Sequence, residues 1–282
     1  MTTVLIADSG STKCEWRLIA SGKRTKKIFT TGISPYFLKA DEIKALLQKE
    51  LLPKIKNINI DEIFFYGTGL KDNANKKFIH TVLKKVFSTA KIEVQTDLLG
   101  AARALNQKGK GISCILGTGC NSCYYDGKKI LKNSPGIGYV LGDEGSGAYL
   151  GKKVIQYFLY GTFDEELMLA FNQKYNNITA DEIIMNVYTK PRANRYLASF
   201  ALFLAENRGH YMVENIIEDG LNDFFFTHLI KYRESWLYPI HFTGSIAFGF
   251  KDVIKNLCNS YEMRLGTILK QPMDGLVKYH FK

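Results

Sequence analysis

"VLIADSGSTKCEWRLI", residues 4–19, runs apolar, breaks into Ser, Gly and Thr, and turns apolar again. Residues 3–8 read as a strand ending at Asp8, and residues 14–19 as the return strand of a hairpin. A second stretch, "ISCILGTGCNSCYYDG" at 112–127, has the same form: strand 112–117, a turn at Thr118-Gly119, strand 121–126, and the hairpin signal Asp126-Gly127. Two such openings in one chain imply two α/β units, each starting with a β-hairpin.

The segments between the openings fit that plan. Residues 26–31 read as a third strand, and 41–52 as a helix ended by Pro53. Strand 61–66 stops at Gly67-Thr68-Gly69, helix 72–88 follows, and strand 91–96 leads into the small-residue helix "DLLGAARAL". After the second opening come helical patterns at 145–160, 164–174, 179–188, 194–207 and 210–232. Strand 238–243 breaks at Gly244-Ser245 into helix 246–258. "MRLGTIL" reads as a last strand, and a short helix ends the sequence.

The chain has 282 residues, 46% hydrophobic and 23% charged, enough to bury large cores. No apolar run approaches the roughly 20 residues of a membrane helix. "MTTVLIADSG" reads as strand and turn rather than a signal peptide, so a cytoplasmic location and no membrane partner are expected. The net charge of +11 comes from scattered lysines without an arginine-rich tract, so no nucleic-acid partner is expected. Five cysteines without a secretory signal argue against a disulfide framework. Cys120-x-x-Cys123 has metal-like spacing, but no second CxxC or HxxxH completes a zinc set. Two small residues near a turn is the simpler reading.

Three stretches carry chemistry. In "ADSGSTKCEW", a Gly/Ser/Thr turn offers backbone N–H groups and hydroxyls to phosphate oxygens, and Asp8 is a hard-oxygen candidate for Mg²⁺. The matching "GTG" of the second unit is a second phosphate-type turn. No Walker A loop is present; "SGAYLGKK" has Ser146 and Lys153 at the positions that would need Gly and Ser/Thr. Asp97 in "VQTDLLGAARAL" is either a helix cap or a general base on a substrate hydroxyl. In "VLGDEGSGAYLG", Asp143 and Glu144 lie between glycines before a helix, suited to a small polar ligand.

In this order, "DSGST", "YGTG", "TDLLGAARAL", "GTGCNS", "GDEGSG" and "FTGSIA" resemble the BadF/BadG/BcrA/BcrD-type ATPase family. That family includes N-acetylglucosamine kinases and lies within the actin–hexokinase–Hsp70 superfamily. The resemblance spans nearly the whole chain, and "LGDEGSG" after "GTGxNS" is its most specific part. It implies an α/β fold of two ribonuclease-H-like domains flanking a nucleotide cleft. The domains are expected at 1–107 and 108–269, the second with a helical insertion, and the C-terminal helix at about 270–282 returns to the first.

By the same resemblance, Asp8 positions Mg²⁺, while Gly10, Ser11, Thr12 and Lys13 meet the ATP phosphates with Gly117, Thr118 and Gly119. Gly244 and Ser245 face the adenosine side. Asp97 is the base on the sugar 6-hydroxyl, and Ser34, Gly69, Asp97 and Asp143 contact the sugar. Apart from the resemblance, a helix N-terminus welcomes carboxylates, so Glu144 is read as scaffold, with a ligand contact as the alternative. Ser34 stands where relatives often carry Asn, and Cys120 where they usually carry Ser. The expected activity is ATP-dependent phosphorylation of an amino sugar, with N-acetylglucosamine first, ATP and Mg²⁺ as cofactors, and room for a homodimer. The alternatives are a regulatory ATPase resembling the dehydratase activators, whose iron–sulfur cluster two subunits share, and a non-catalytic sugar sensor.

Overall fold

The computed structural model describes residues 2–10, 12–20, 25–56 and 58–281. The chain divides into two compact units, Met1–Lys108 with Pro272–Lys282, and Gly109–Gln271.

Unit 1 holds strands β1 (Thr3–Ser9), β2 (Lys13–Ala20), β3 (Lys26–Thr31), β4 (Glu62–Gly67) and β5 (Lys91–Thr96) in the order β3-β2-β1-β4-β5. β1, β2 and β3 pair antiparallel, and β1, β4 and β5 pair parallel. The period of two sorts the residues of β1. Leu5 and Ala7 join the core beneath α1 (Ala40–Leu46) and α2 (Asn73–Val86). Val4 and Ile6 face α3 (Asp97–Asn106) and the chain's final helix, α12 (Met273–His280). Asp8 continues that second face, which directs its carboxylate toward the start of α3. α1 does not stop at Pro53. It runs on through a π turn (Leu47–Leu51) into a 3₁₀ turn (Leu52–Ile55), whose opening turn accepts proline.

Unit 2 repeats the topology. Strands β6 (Gly111–Leu116), β7 (Cys120–Tyr125), β8 (Ile130–Ser134), β9 (Ile240–Thr243) and β10 (Leu265–Leu269) are ordered β10-β9-β6-β7-β8. The first three are antiparallel, and β6, β9 and β10 are parallel. Strand β8 escaped the sequence reading because it is an edge strand. Only its two ends are half-buried, so it has no apolar alternation. Between β8 and β9 lie helices α4 (Gly147–Leu159), α5 (Glu165–Lys174), α6 (Ala180–Tyr188), α7 (Ala193–Ser199), α8 (Ala201–Glu206) and α9 (Tyr211–Phe224).

The helical pattern at 194–207 is broken between α7 and α8. There the Leu197 carbonyl packs against Gly151 of α4 so closely that a Cβ on Gly151 would lie 1.8 Å from it. α9 runs into a π turn, Phe225–Leu229, and the pattern at 246–258 splits at Phe250 into α10 (Ser245–Gly249) and α11 (Lys251–Ser260). Both sheets therefore carry the ribonuclease-H-like strand order that the resemblance implies. Among the described residues, no helix is long and apolar enough to cross a membrane.

Candidate functional site

In unit 1, the candidate residues gather at the carboxyl ends of β1, β4 and β5, where parallel strands present ligand-facing groups. The β1–β2 turn is closed by Gly10 N–H donating to the Lys13 carbonyl at 3.0 Å. Gly32, just after β3, donates to the Thr12 carbonyl at 2.9 Å. A Cβ on Gly32 would lie 2.3 Å from the Gly10 oxygen and 2.6 Å from the Thr12 nitrogen. Backbone thus packs on backbone to hold the turn, and only glycine allows that approach. Nothing in the sequence linked Gly32 to the turn, because the contact involves no side chain. Thr12 is exposed, and the Lys13 ammonium sits 3.6 Å above the Phe29 ring, so it is spent on a cation–π contact. Ser11 lies outside the described residues.

Ser9 ties two further loops to the turn. Its hydroxyl donates to the Ile33 carbonyl at 2.9 Å and receives the Ile33 N–H at 2.8 Å. Its carbonyl accepts the Thr68 N–H at 3.0 Å. These bonds bring the 32–38 loop and the 67–70 turn together. Ser34 is buried there, its Oγ 3.4 Å from where a Cβ on Gly69 would stand.

Two carboxylates complete this half. Burial pushes Asp8 up to about 7, and the nearby Asp97 and Glu15 charges add to the shift. Burial lifts Asp97 to about 6 against the hydrogen bonds it receives, among them the Leu98 N–H at 2.8 Å. The cap of α3 is Thr96, whose hydroxyl accepts the Leu99 N–H at 3.1 Å. The cap reading of Asp97 therefore falls, and its carboxylate is poised near neutrality, as a general base requires. Two half-buried carboxylates, with the Asp97 charge raising the proton affinity of Asp8, are a hard-oxygen donor set. That fits a divalent cation such as Mg²⁺, whose charge would relieve the repulsion.

In unit 2, Gly117 N–H donates to the Gly119 carbonyl at 3.0 Å, closing the β6–β7 turn with Thr118 exposed at its tip. The first N–H groups of α4, from Gly147 and Ala148, go to the Gly117 and Thr118 carbonyls at 2.8 and 3.0 Å. That helix end is therefore spent on the turn rather than on an anion. Gly244, at φ +121°, leads from β9 into α10, with Ser245 exposed beside it. A Cβ on Gly244 would lie 2.1 Å from the Leu116 carbonyl, so the 243–245 turn rests directly on the β6 end.

Asp143 occupies left-handed backbone at φ 61° and is 9% exposed. It accepts the Gly138 N–H at 3.3 Å and the Cys120 N–H, and a Cβ on Gly119 would lie 2.8 Å from its Oδ2. Burial pushes its carboxyl up, and the Glu144 charge adds to this. Glu144 turns the other way, to His228 Nε2 at 3.2 Å. The helix cap is Ser146, accepting the Tyr149 N–H at 3.2 Å. Cys120 and Cys123 are both buried, but they project to opposite faces of β7. The CxxC spacing is therefore not a shared ligand pair.

Unit 1 thus brings together Asp8, Gly10, Thr12, Ser34, Gly69 and Asp97, and Lys13 stands on β2 with its ammonium at Phe29. Unit 2 brings together Gly117, Thr118, Gly119, Asp143, Gly244 and Ser245.

A candidate N-acetylglucosamine kinase from Porphyromonas gingivalis is similar to this chain, with 40% identity over 98% of both chains and a TM-score of 0.93. A second one, from Chromobacterium violaceum, shares 18% identity over 99% of both chains at a TM-score of 0.72. A ROK family glucokinase from Streptomyces griseus, solved with glucose and AMPPNP, shares 14% identity over 98% of this chain and 97% of its own, at a TM-score of 0.53. The last two likenesses concern the fold alone. No family model and no curated protein matches the chain.

Proposed function

The chain belongs to the N-acetylglucosamine kinase-like members of the BadF/BadG/BcrA/BcrD-type ATPases, in the actin–hexokinase–Hsp70 superfamily, and from this we propose that it phosphorylates the 6-hydroxyl of N-acetylglucosamine with ATP. The observation that carries this reading is the 40% identity extending over 98% of both chains.

The reaction class is phosphoryl transfer to an alcohol, in which positioning and charge neutralisation supply most of the rate. Mg²⁺, when bound, neutralises phosphate charge, and Asp8 is the residue that would hold it. The Gly10–Lys13 turn and the Gly117–Gly119 turn bind the phosphates through backbone N–H groups. Gly244 and Ser245 take the adenosine side. Ser34, Gly69 and Asp143 hold the sugar; Asp143 keeps free lone pairs for sugar hydroxyls besides the two backbone N–H groups it accepts.

Asp97 accepts the proton of the sugar hydroxyl as that oxygen bonds to the γ-phosphorus. The bond from the γ-phosphorus to the bridging oxygen breaks, and ADP leaves with the electron pair. A carboxylate lifted to about 6 is ionised at pH 7.5 yet basic enough to share that proton.

ADP release with ATP and Mg²⁺, measured across a panel of amino sugars, tests the proposal. N-acetylglucosamine should give the highest kcat/KM, and its 6-deoxy analogue should give none. Turnover of the 6-deoxy analogue would overturn the 6-hydroxyl assignment. Absence of sugar-dependent ADP release would overturn the kinase reading.

A further inference from the structure

Three side chains with metal-binding atoms converge in unit 2, away from any role assigned above to Asp8. Cys120 Sγ lies 3.5 Å from His228 Nε2, Glu144 Oε2 lies 3.2 Å from the same nitrogen, and all three atoms fall within 4.8 Å of one another. Cys120 and His228 are buried and Glu144 is half-buried. From these distances we propose that Cys120, Glu144 and His228 form a zinc site, independent of the kinase reading.

The spacing is that of a tetrahedral ion's ligands. Zinc bonds of about 2.0–2.1 Å to N and O and about 2.3 Å to S, at the tetrahedral angle, put N and O about 3.3 Å apart and S and N about 3.6 Å apart. The observed 3.2 and 3.5 Å match two edges of that tetrahedron, and the third, from Cys120 Sγ to Glu144, is within 4.8 Å and would close by at most about 1.2 Å. A thiolate, an imidazole and a carboxylate together suit a borderline-soft cation rather than Mg²⁺ or Ca²⁺. Three protein ligands leave a fourth position for water.

The shell behind the histidine fits as well. His228 Nδ1 faces both the Ser134 hydroxyl at 3.0 Å and the Ser134 carbonyl at 3.2 Å. With a proton on Nδ1, the ring donates to that carbonyl and Nε2 presents a lone pair to the ion, the usual way a backbone acceptor fixes a ligating imidazole. Without an ion, Nε2 faces Glu144 at 3.2 Å, and the tautomer with its proton on Nε2 would donate to that carboxylate and take the Ser134 hydroxyl on Nδ1. Ser134 serves both forms. Burial pushes the Cys120 thiol well up, with the Asp143 and Glu144 charges adding, so zinc would displace its proton on binding.

The ligands come from three segments: the start of β7 beside the Gly117–Gly119 turn, the residue after Asp143, and the π turn that ends α9. An ion here would tie these segments into one rigid piece.

The test is cobalt titration of full-length, reduced, chelator-treated protein. The expected result is one Co²⁺ per chain with a thiolate charge-transfer band and tetrahedral d–d intensity, both displaced by Zn²⁺. Cys120→Ser should lose the charge-transfer band, and His228→Gln should weaken binding at least about tenfold, with folding checked for each by circular dichroism. Folded wild-type protein lacking the band at saturating Co²⁺ would overturn the proposal. So would a band that persists in Cys120→Ser, since it would place the thiolate on another cysteine.

Discussion

The two units share one strand order and one kind of opening turn, yet they differ in where charge lies. Unit 1 ends two of its strands in acids, Asp8 on β1 and Asp97 just after β5, and burial lifts both toward neutrality. In unit 2, β6 and β9 end in Leu116 and Thr243, and the Gly117–Gly119 turn is closed by a backbone hydrogen bond. Its one buried carboxylate, Asp143, enters from the connection between β8 and α4. A duplicated scaffold thus carries two different surfaces. One half concentrates carboxylates at its strand ends, and in the other the N–H groups of Gly117, Gly147 and Ala148 are held by backbone carbonyls around the turn. The geometry of the turn is set by the fold, while the chemistry is set by a few substitutions at strand ends.

The sharpest way to break this contrast is to remove the charge from unit 1. Asp97→Asn should lower kcat by roughly 10²–10⁴, the typical worth of a general base, with little change in thermal stability or ATP affinity. In the wild type, kcat/KM should fall about tenfold per pH unit below about 6, as Asp97 takes up its proton. Near wild-type turnover in Asp97→Asn would move the base elsewhere.

The backbone contacts should matter equally in both halves. Gly244→Ala forces a side chain into a conformation that L residues avoid and against the Leu116 carbonyl. Gly32→Ala pushes apart the Gly10–Lys13 turn. Each should cost on the order of 1–3 kcal/mol in thermal denaturation and raise the KM for ATP. An unchanged KM in either variant would detach that turn from nucleotide binding.

Thr96→Ala separates capping from catalysis within unit 1. It should cost about 1 kcal/mol of stability and leave kcat within a few-fold of wild type.

The smallest effect concerns a feature both units share, a half-buried histidine with lowered proton affinity. His280 in unit 1 and His241 in unit 2 are both pushed down to about 4, mainly by burial. The unfolded chain binds these protons more readily, so their contribution is complete above about 6.5 and is lost as pH falls toward 4. His280→Gln should flatten the acid-side decline of the melting temperature, and His241→Gln should flatten it by a similar amount. A decline unchanged in both variants would place the acid sensitivity elsewhere.

How much of this was visible in the sequence depends on what holds each part. The paired openings at 3–19 and 112–126 were legible because alternating apolar residues and Gly/Ser/Thr breaks are local signals. Strand β8 was not, because an exposed edge strand needs no apolar alternation. The helix breaks at Phe200 and Phe250 were hidden for a related reason: apolar periodicity continues across them, and beside Phe200 the Leu197 carbonyl packs on the backbone of Gly151. Asp97 was legible as an acid at a strand end, readable as a cap or as a base. The capping bond goes to Thr96, one residue earlier and equally suited to it. Gly32 and His228 left no local signal, since one acts through backbone packing and the other meets Glu144 across 84 residues of chain.

The placement of α12 bears on how the molecule is made. Unit 2 is continuous, 109–271, whereas unit 1 is split and needs residues 272–281 to cover its β1–β4 face. Those late residues bring Leu276 into that core, stack His280 on Phe64, bond it to the Tyr66 hydroxyl at 2.8 Å, and give the Gly275 carbonyl to Gln107. Domains generally fold as units while the ribosome works from the N-terminus. Here the half synthesised first must wait, with Val4, Ile6 and Tyr66 uncovered, until all of the other half has been translated. Nascent chains stalled within residues 109–271 should therefore expose that apolar face to chaperones, and unit 1 should acquire its final shape only once residues 272–281 have emerged.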